Sequence, residues 1–142
     1  MGEWLVPRNE LRGLEDDAAV FHVWFATKRR KHLLVGQIEA RAKQLLKEVA
    51  DAKDIDLKEM ETMTDHVHLM LASTSGELSA QVKMLKGVSA RRLFQEYPDL
   101  RLDAHTDHFW QRGFGYRRLY DDVEGVAWYV RTQKRRLSKY ER

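Results

Sequence analysis

In "TDHVHLMLAS", residues 64–73, apolar and polar positions repeat with a period of two. Strand side chains alternate faces, so Val67, Leu69 and Leu71 take one face and His66, His68 and Met70 the other. "IDLKEMETM" just before it predicts another strand, antiparallel to the first. "AVFHVWFATK", residues 19–28, is rich in β-branched and aromatic residues and predicts a strand of its own. Between these strands the period lengthens. "VGQIEARAKQLLKEVADAKD" places Ile38, Ala42, Leu45 and Val49 at helical spacing.

A second helix, "ELSAQVKMLKGVSARRLFQEY", follows Thr74, Ser75, Gly76 and Glu77, whose order resembles a capping box. "HFWQRGFGYRRLY" predicts a fourth strand, with Gly113 and Gly115 marking a bend or bulge. Asp121, Asp122 and Glu124 can cap a last helix, "VEGVAWYVRTQKRRL", with Val123, Val126, Ala127 and Val130 as its apolar stripe. The order β-α-β-β-α-β plus a terminal helix predicts an α+β, ferredoxin-like fold. Its antiparallel sheet would carry the helices on one face. Such a fold hosts many chemistries, so function must come from particular residues.

The chain has 142 residues, the size of one domain. Residues 1–18, interrupted by Pro7 and Gly13, are expected to be an extension, and 19–142 the domain. There is no cysteine, which excludes disulfides and thiolate metal sites. With no secretory signal and no bilayer-spanning apolar run, the expected location is the cytoplasm.

The net charge is only +3, but it is uneven. Five acids and two arginines fall in residues 1–18, whereas nine bases and four acids fall in 111–142. A second basic cluster is Lys28, Arg29, Arg30 and Lys31. Uneven basic charge points to a polyanion such as nucleic acid, and equally to an ordinary solvated surface.

Two imidazoles on one strand face can share a divalent metal. Histidine-triad hydrolases would need a third histidine where Met70 stands, and two-histidine phosphoesterases a second His-x-Thr/Ser motif. A zinc-dependent hydrolase could add His105 and His108 to the pair. A further reading takes a ligand and a nucleophile from the last helix. There Tyr129 and Gln133, four residues apart, share a face. They could equally be an amphipathic boundary residue and a solvated amide. Tyrosine is a weak nucleophile at its free pKa of about 10 and needs activation.

"HVH", "MLKGVSARRLFQEYP", "HFWQRGFGYR" and "WYVRTQ" together resemble the single-tyrosine transposases of the insertion sequence 200/605 group. Relatives of that group are the REP-associated tyrosine transposases, and all belong to the HUH superfamily. The resemblance runs from about Val20 to Arg136. It implies that His66, His68 and Gln133 are metal ligands for magnesium or manganese, and that Tyr129 is the nucleophile. It implies cleavage and rejoining of single-stranded DNA beside hairpins, through a tyrosine linked to the 5′ phosphate. It also implies a homodimer whose sites can combine histidines of one subunit with the tyrosine of the other. Lys28, Arg29, Arg30, Lys83, Lys86, Arg91 and Arg92 are then candidates for DNA phosphates. Phe109 and Trp110 could stack bases, or simply fill the core. An alternative function is a hairpin-binding domain that does not cut.

Overall fold

The computed structural model describes residues 19–104 and 108–119. The N-terminal extension, the last helix with Tyr129 and Gln133, and His105 lie outside the described residues. Strand β1 spans Ala19–Ala26 and leads into a 3-10 turn at Lys28–Arg30. Helix α1 is Gly36–Ala52, followed by β2 at Asp56–Thr62 and β3 at His66–Ser73. Helix α2 is Ser75–Glu96, α3 is a short turn at Leu100–Ala104, and β4 is Gly115–Leu119.

The four strands form one sheet in the order β2-β3-β1-β4, antiparallel at every pair. This is the ferredoxin-like arrangement expected from the element order. Both helices cover one face. Phe21, Val23 and Phe25 of β1 and Val67, Leu69 and Leu71 of β3 meet Leu45, Leu46 and Val49 of α1. Leu78, Val82, Leu85 and Leu93 of α2 complete that core. Truncating one of these fully buried leucines to alanine should cost about 2–5 kcal/mol. Arg41 clamps the two helices together, with Nε and Nη2 donating to Glu96 at 2.6 and 2.9 Å.

The start of α2 follows the capping expectation: Thr74 is the N-cap, and its hydroxyl accepts from Glu77 N at 3.2 Å. The segment "HFWQRGFGYRRLY" departs from the expected continuous strand. Phe109 and Trp110 are adjacent and both buried in the helix-side core, so they do not take opposite faces of the sheet as strand neighbours would. The Trp110 indole turns inward and donates to the buried Ser89 hydroxyl at 2.9 Å. Trp110 bridges Thr27, and Gln111 N donates to Ala26 O at 2.8 Å. Pairing resumes only where Gly115 meets Trp24. The intervening residues loop out, with Gly113 at φ +80°, a conformation that favours glycine. Short helix α3 was not foreseen from the pattern.

Candidate functional site

The sheet face opposite the helices carries the histidines. On β3 it holds His66, His68 and Met70, as the period of two requires. In register beside them on β1, Trp24 lies opposite His68, and His22 lies opposite Met70. Arg117 of β4 lies opposite His22, and Glu61 of β2 opposite His68. Met70 is buried here together with Val20 and Leu119. The face therefore has an apolar end as well as an imidazole end.

A continuous chain of side chains runs along the imidazole end. Arg30 Nε donates to Asp65 Oδ2 at 3.1 Å. The other carboxylate oxygen, Oδ1, lies 2.7 Å from His66 Nδ1. His66 Nε2 lies 3.1 Å from His68 Nε2, and His68 Nδ1 lies 2.9 Å from His22 Nε2. Asp65 can only accept as a carboxylate, so His66 Nδ1 carries a hydrogen and donates to it. Burial opposes ionisation of Asp65, but bonds from His66 and Arg30 hold its carboxyl below the usual range.

Burial pushes His68 down to about 3, with the neighbouring His22 and His66 adding to the effect. Burial likewise pushes His22 down to about 4, with Arg117 contributing. Both rings are thus neutral at neutral pH, the form in which imidazole ligates metals. Two nitrogens each about 2.1 Å from one ion, at a right angle, would be about 3.0 Å apart. The 3.1 Å separation of the two Nε2 atoms fits that donor arrangement. Among the described residues no group of three His, Cys, Asp or Glu side chains is arranged to hold a metal ion. His108 does not join the pair; it lines a groove against α2.

That groove, about 940 Å³, lies on the helix-covered side and is strongly basic. Lys28, Lys83, Lys86 and Arg91 line it, joined by Arg101 and Arg112, which the sequence reading had not singled out. Lys83 and Arg91 are exposed. Lys86 is tethered, donating to the carbonyls of Gln111 at 2.7 Å and Gly113 at 2.5 Å. Its Nζ sits 5.6 Å from the Phe25 ring centre, and burial lowers its pKa. Arg92 is engaged elsewhere, pairing with Glu96 at 3.4 Å and Glu48 at 3.8 Å. Arg29 and Arg30 are exposed in the 3-10 turn, with φ of 57° and 53°. Phe109 and Trp110 are core residues, as burial in the cluster with Phe25 and Phe94 shows.

His22 was also missed by the sequence reading. Its signal was parity: it is a polar residue at an even spacing from Trp24, in a strand otherwise apolar.

Residues 17–133 match the family model described as "Transposase IS200 like". The ISDra2 transposase TnpA of Deinococcus radiodurans is 35% identical over 95 residues, covering 66% of this chain and 68% of that protein. The transposase for insertion sequence element IS200 of Salmonella typhimurium is 25% identical over 114 residues, covering 80% and 75%. A crystal structure of a candidate transposase from Deinococcus radiodurans R1 superposes with a TM-score of 0.66 at 29% identity, over 82% of this chain and 91% of that one. A REP-associated tyrosine transposase bound to a REP hairpin shares the fold, with a TM-score of 0.59 at 10% identity, over 99% and 73%.

Proposed function

This chain belongs to the IS200-like transposase family, and on that premise we propose that it cuts and rejoins single-stranded DNA at hairpin-bearing ends of a mobile element. Tyr129 is the nucleophile in this reading, and His66, His68 and Gln133 hold a divalent ion, magnesium or manganese. Residues 19–142 act as one domain, carrying the extension 1–18, and the protein works in the cytoplasm as a homodimer. Among the described residues no helix is long and apolar enough to cross a membrane.

The observation that carries the reading is the convergence of two imidazole Nε2 atoms, from His66 and His68, 3.1 Å apart on the helix-free sheet face. Their outer nitrogens are already bonded to Asp65 and His22. The two inner Nε2 atoms would be the ones to engage an ion, His68 giving up its Nε2 hydrogen, and a third, uncharged ligand from Gln133 would complete a set that leaves the ion's charge undiminished. Bound there, a divalent ion would supply Lewis-acid polarisation of a scissile phosphate.

The rest is work for the chain's own side chains. The Tyr129 oxygen attacks phosphorus, forming an O–P bond as the bond from phosphorus to the 3′ oxygen breaks. Tyrosine gives up its proton, and the departing 3′ oxygen takes one up. The DNA is then held by its 5′ phosphate, and attack by another 3′ hydroxyl reverses the step. Phosphate-ester energy is conserved in the adduct, so no nucleotide is consumed. Lys83, Arg91, Arg101 and Arg112 on the groove can neutralise flanking phosphates, with Lys28 beside them.

The test is covalency. Incubated with a hairpin-bearing single strand from the ends of its own element and Mn²⁺, the protein should form a DNA adduct that survives denaturation. Tyr129→Phe should abolish the adduct and keep DNA binding. An undiminished adduct in Tyr129→Phe would move the nucleophile elsewhere, with Tyr120 the next candidate. Binding without any adduct in the wild-type protein would favour the hairpin-binding alternative.

A further inference from the structure

The hydrogen-bond chain has a direction. Asp65 accepts from His66 Nδ1, so in its one-hydrogen form, the form that can ligate a metal, His66 accepts at Nε2. The 3.1 Å contact between the two Nε2 atoms then requires His68 to donate from Nε2. A neutral imidazole carries one hydrogen, so His68 Nδ1 is an acceptor. The 2.9 Å contact with His22 is therefore donated by His22 Nε2. Without an ion, these three contacts are consistent with one assignment of one-hydrogen rings: hydrogen on Nε2 in His22 and His68, and on Nδ1 in His66.

Ligation inverts part of this chain. An ion bound to both inner Nε2 atoms takes the place of the hydrogen on His68 Nε2. His68 must then carry its hydrogen on Nδ1 and donate outward, and the group it faces is His22 Nε2. The group at that position must therefore accept where it donated before, without changing charge. Imidazole does so by exchanging tautomers, with its hydrogen moving to Nδ1.

The geometry points to His22 as a positioning residue for the metal site: its ring reverses the hydrogen bond to His68 when an ion binds, locking His68 with Nε2 aimed at the metal. The protons balance. One passes from His22 Nε2 to His68 Nδ1 along the bond, the His68 Nε2 proton leaves to solvent, and His22 takes one up at Nδ1. Neither ring changes charge. The surroundings hold the His22 ring in place for this. It is 6% exposed, lies 5.1 Å from the His68 ring centre at a 28° tilt, and packs on Trp24 at 5.0 Å. Outer partners of this kind typically change metal affinity 10–100-fold when removed. Asp65 gives His66 a fixed acceptor, whereas His22 gives His68 a partner that can switch.

The inference rests on the ligand roles of His66 and His68 proposed above, and the experiment separates the two. Nitrogen-15 NMR on the full chain reports each imidazole tautomer. Metal-free, His22 and His68 should both be Nε2–H. Titrated with Zn²⁺, both should become Nδ1–H. In parallel, Mn²⁺ binding is followed by electron paramagnetic resonance for wild type, His22→Phe and His22→Gln. Phenylalanine keeps the ring shape without a polar atom, and affinity should fall about 10–100-fold. Glutamine can donate or accept by turning its amide, and should recover most of that loss, which a purely packing role would not predict. If the metal-bound wild type keeps His22 as Nε2–H, or if His22→Phe binds Mn²⁺ like wild type, the role of His22 is refuted while the ligand assignment stands. If wild type binds neither ion, the ligand assignment falls and the His22 inference with it.

Discussion

Gly115 opens β4 directly opposite Trp24 of β1. A Cβ built there would fall inside the Trp24 indole, far closer than any real side-chain contact. The absence of a side chain at 115 is therefore what lets the indole lie across β4 and pack on His22. Gly115→Ala must displace that ring, and two routes are open. Keeping the ring in place strains the sheet, and overpacking of this kind costs about 1–3 kcal/mol. Swinging the ring into solvent forfeits its burial instead. Trp24 is 37% exposed, so roughly 150 Å² of a side chain of up to about 250 Å² is covered, or about 4 kcal/mol at 25 cal/mol/Å². The cheaper strained route sets the expected loss. It is offset by about 0.5–1 kcal/mol, because alanine has less backbone freedom to lose than glycine.

The net expectation is about 1–2 kcal/mol, a fall in Tm of about 2–8 °C for a chain of this size. Urea unfolding of Gly115→Ala, Trp24→Ala and the double variant measures it as a cycle. In the Trp24→Ala background, Gly115→Ala should be neutral or slightly stabilising, giving a coupling of at least about 1 kcal/mol. Equal costs of Gly115→Ala with and without the indole would show that the close approach is not the reason for glycine.

Two further outcomes test the groove and the assembly. Lys83→Ala and Arg91→Ala should each weaken binding of single-stranded DNA almost independently of its sequence, and each should reduce the slope of log affinity against log salt by about 0.7; unchanged slopes would remove both residues from the interface. Tyr129→Phe and His66→Ala proteins, each inactive alone, should recover a substantial fraction of cleavage when mixed if sites combine two subunits; subunit exchange without recovery would place tyrosine and histidines in the same chain.

Local rules made much of this molecule legible from its sequence. The period of two in β3 separated His66 and His68 from Val67, Leu69 and Leu71, because alternation is a property of the backbone alone. The N-terminus of α2 was readable because Thr74 and Glu77 are three residues apart and meet within a single turn. The antiparallel sheet with helices on one face followed from the succession of elements.

What joined those parts was decided in three dimensions. His22 and His68 are 46 residues apart, and no local pattern tells a strand histidine that bonds a neighbour from one that merely fills space. Arg92 carries the same charge as Arg91, but packing of α2 against α1 sets it beside Glu48 and Glu96, while Arg91 faces the groove. The stretch before β4 has strand composition, yet Trp110 finds Ser89 on α2, and an indole N–H buried without a partner would cost about 1–3 kcal/mol. That tertiary bond draws the chain inward, and the ladder yields until Gly115. Alternation and capping act within a few residues. Partners for buried polar groups come from whatever the fold brings near, and here they came from other strands and helices.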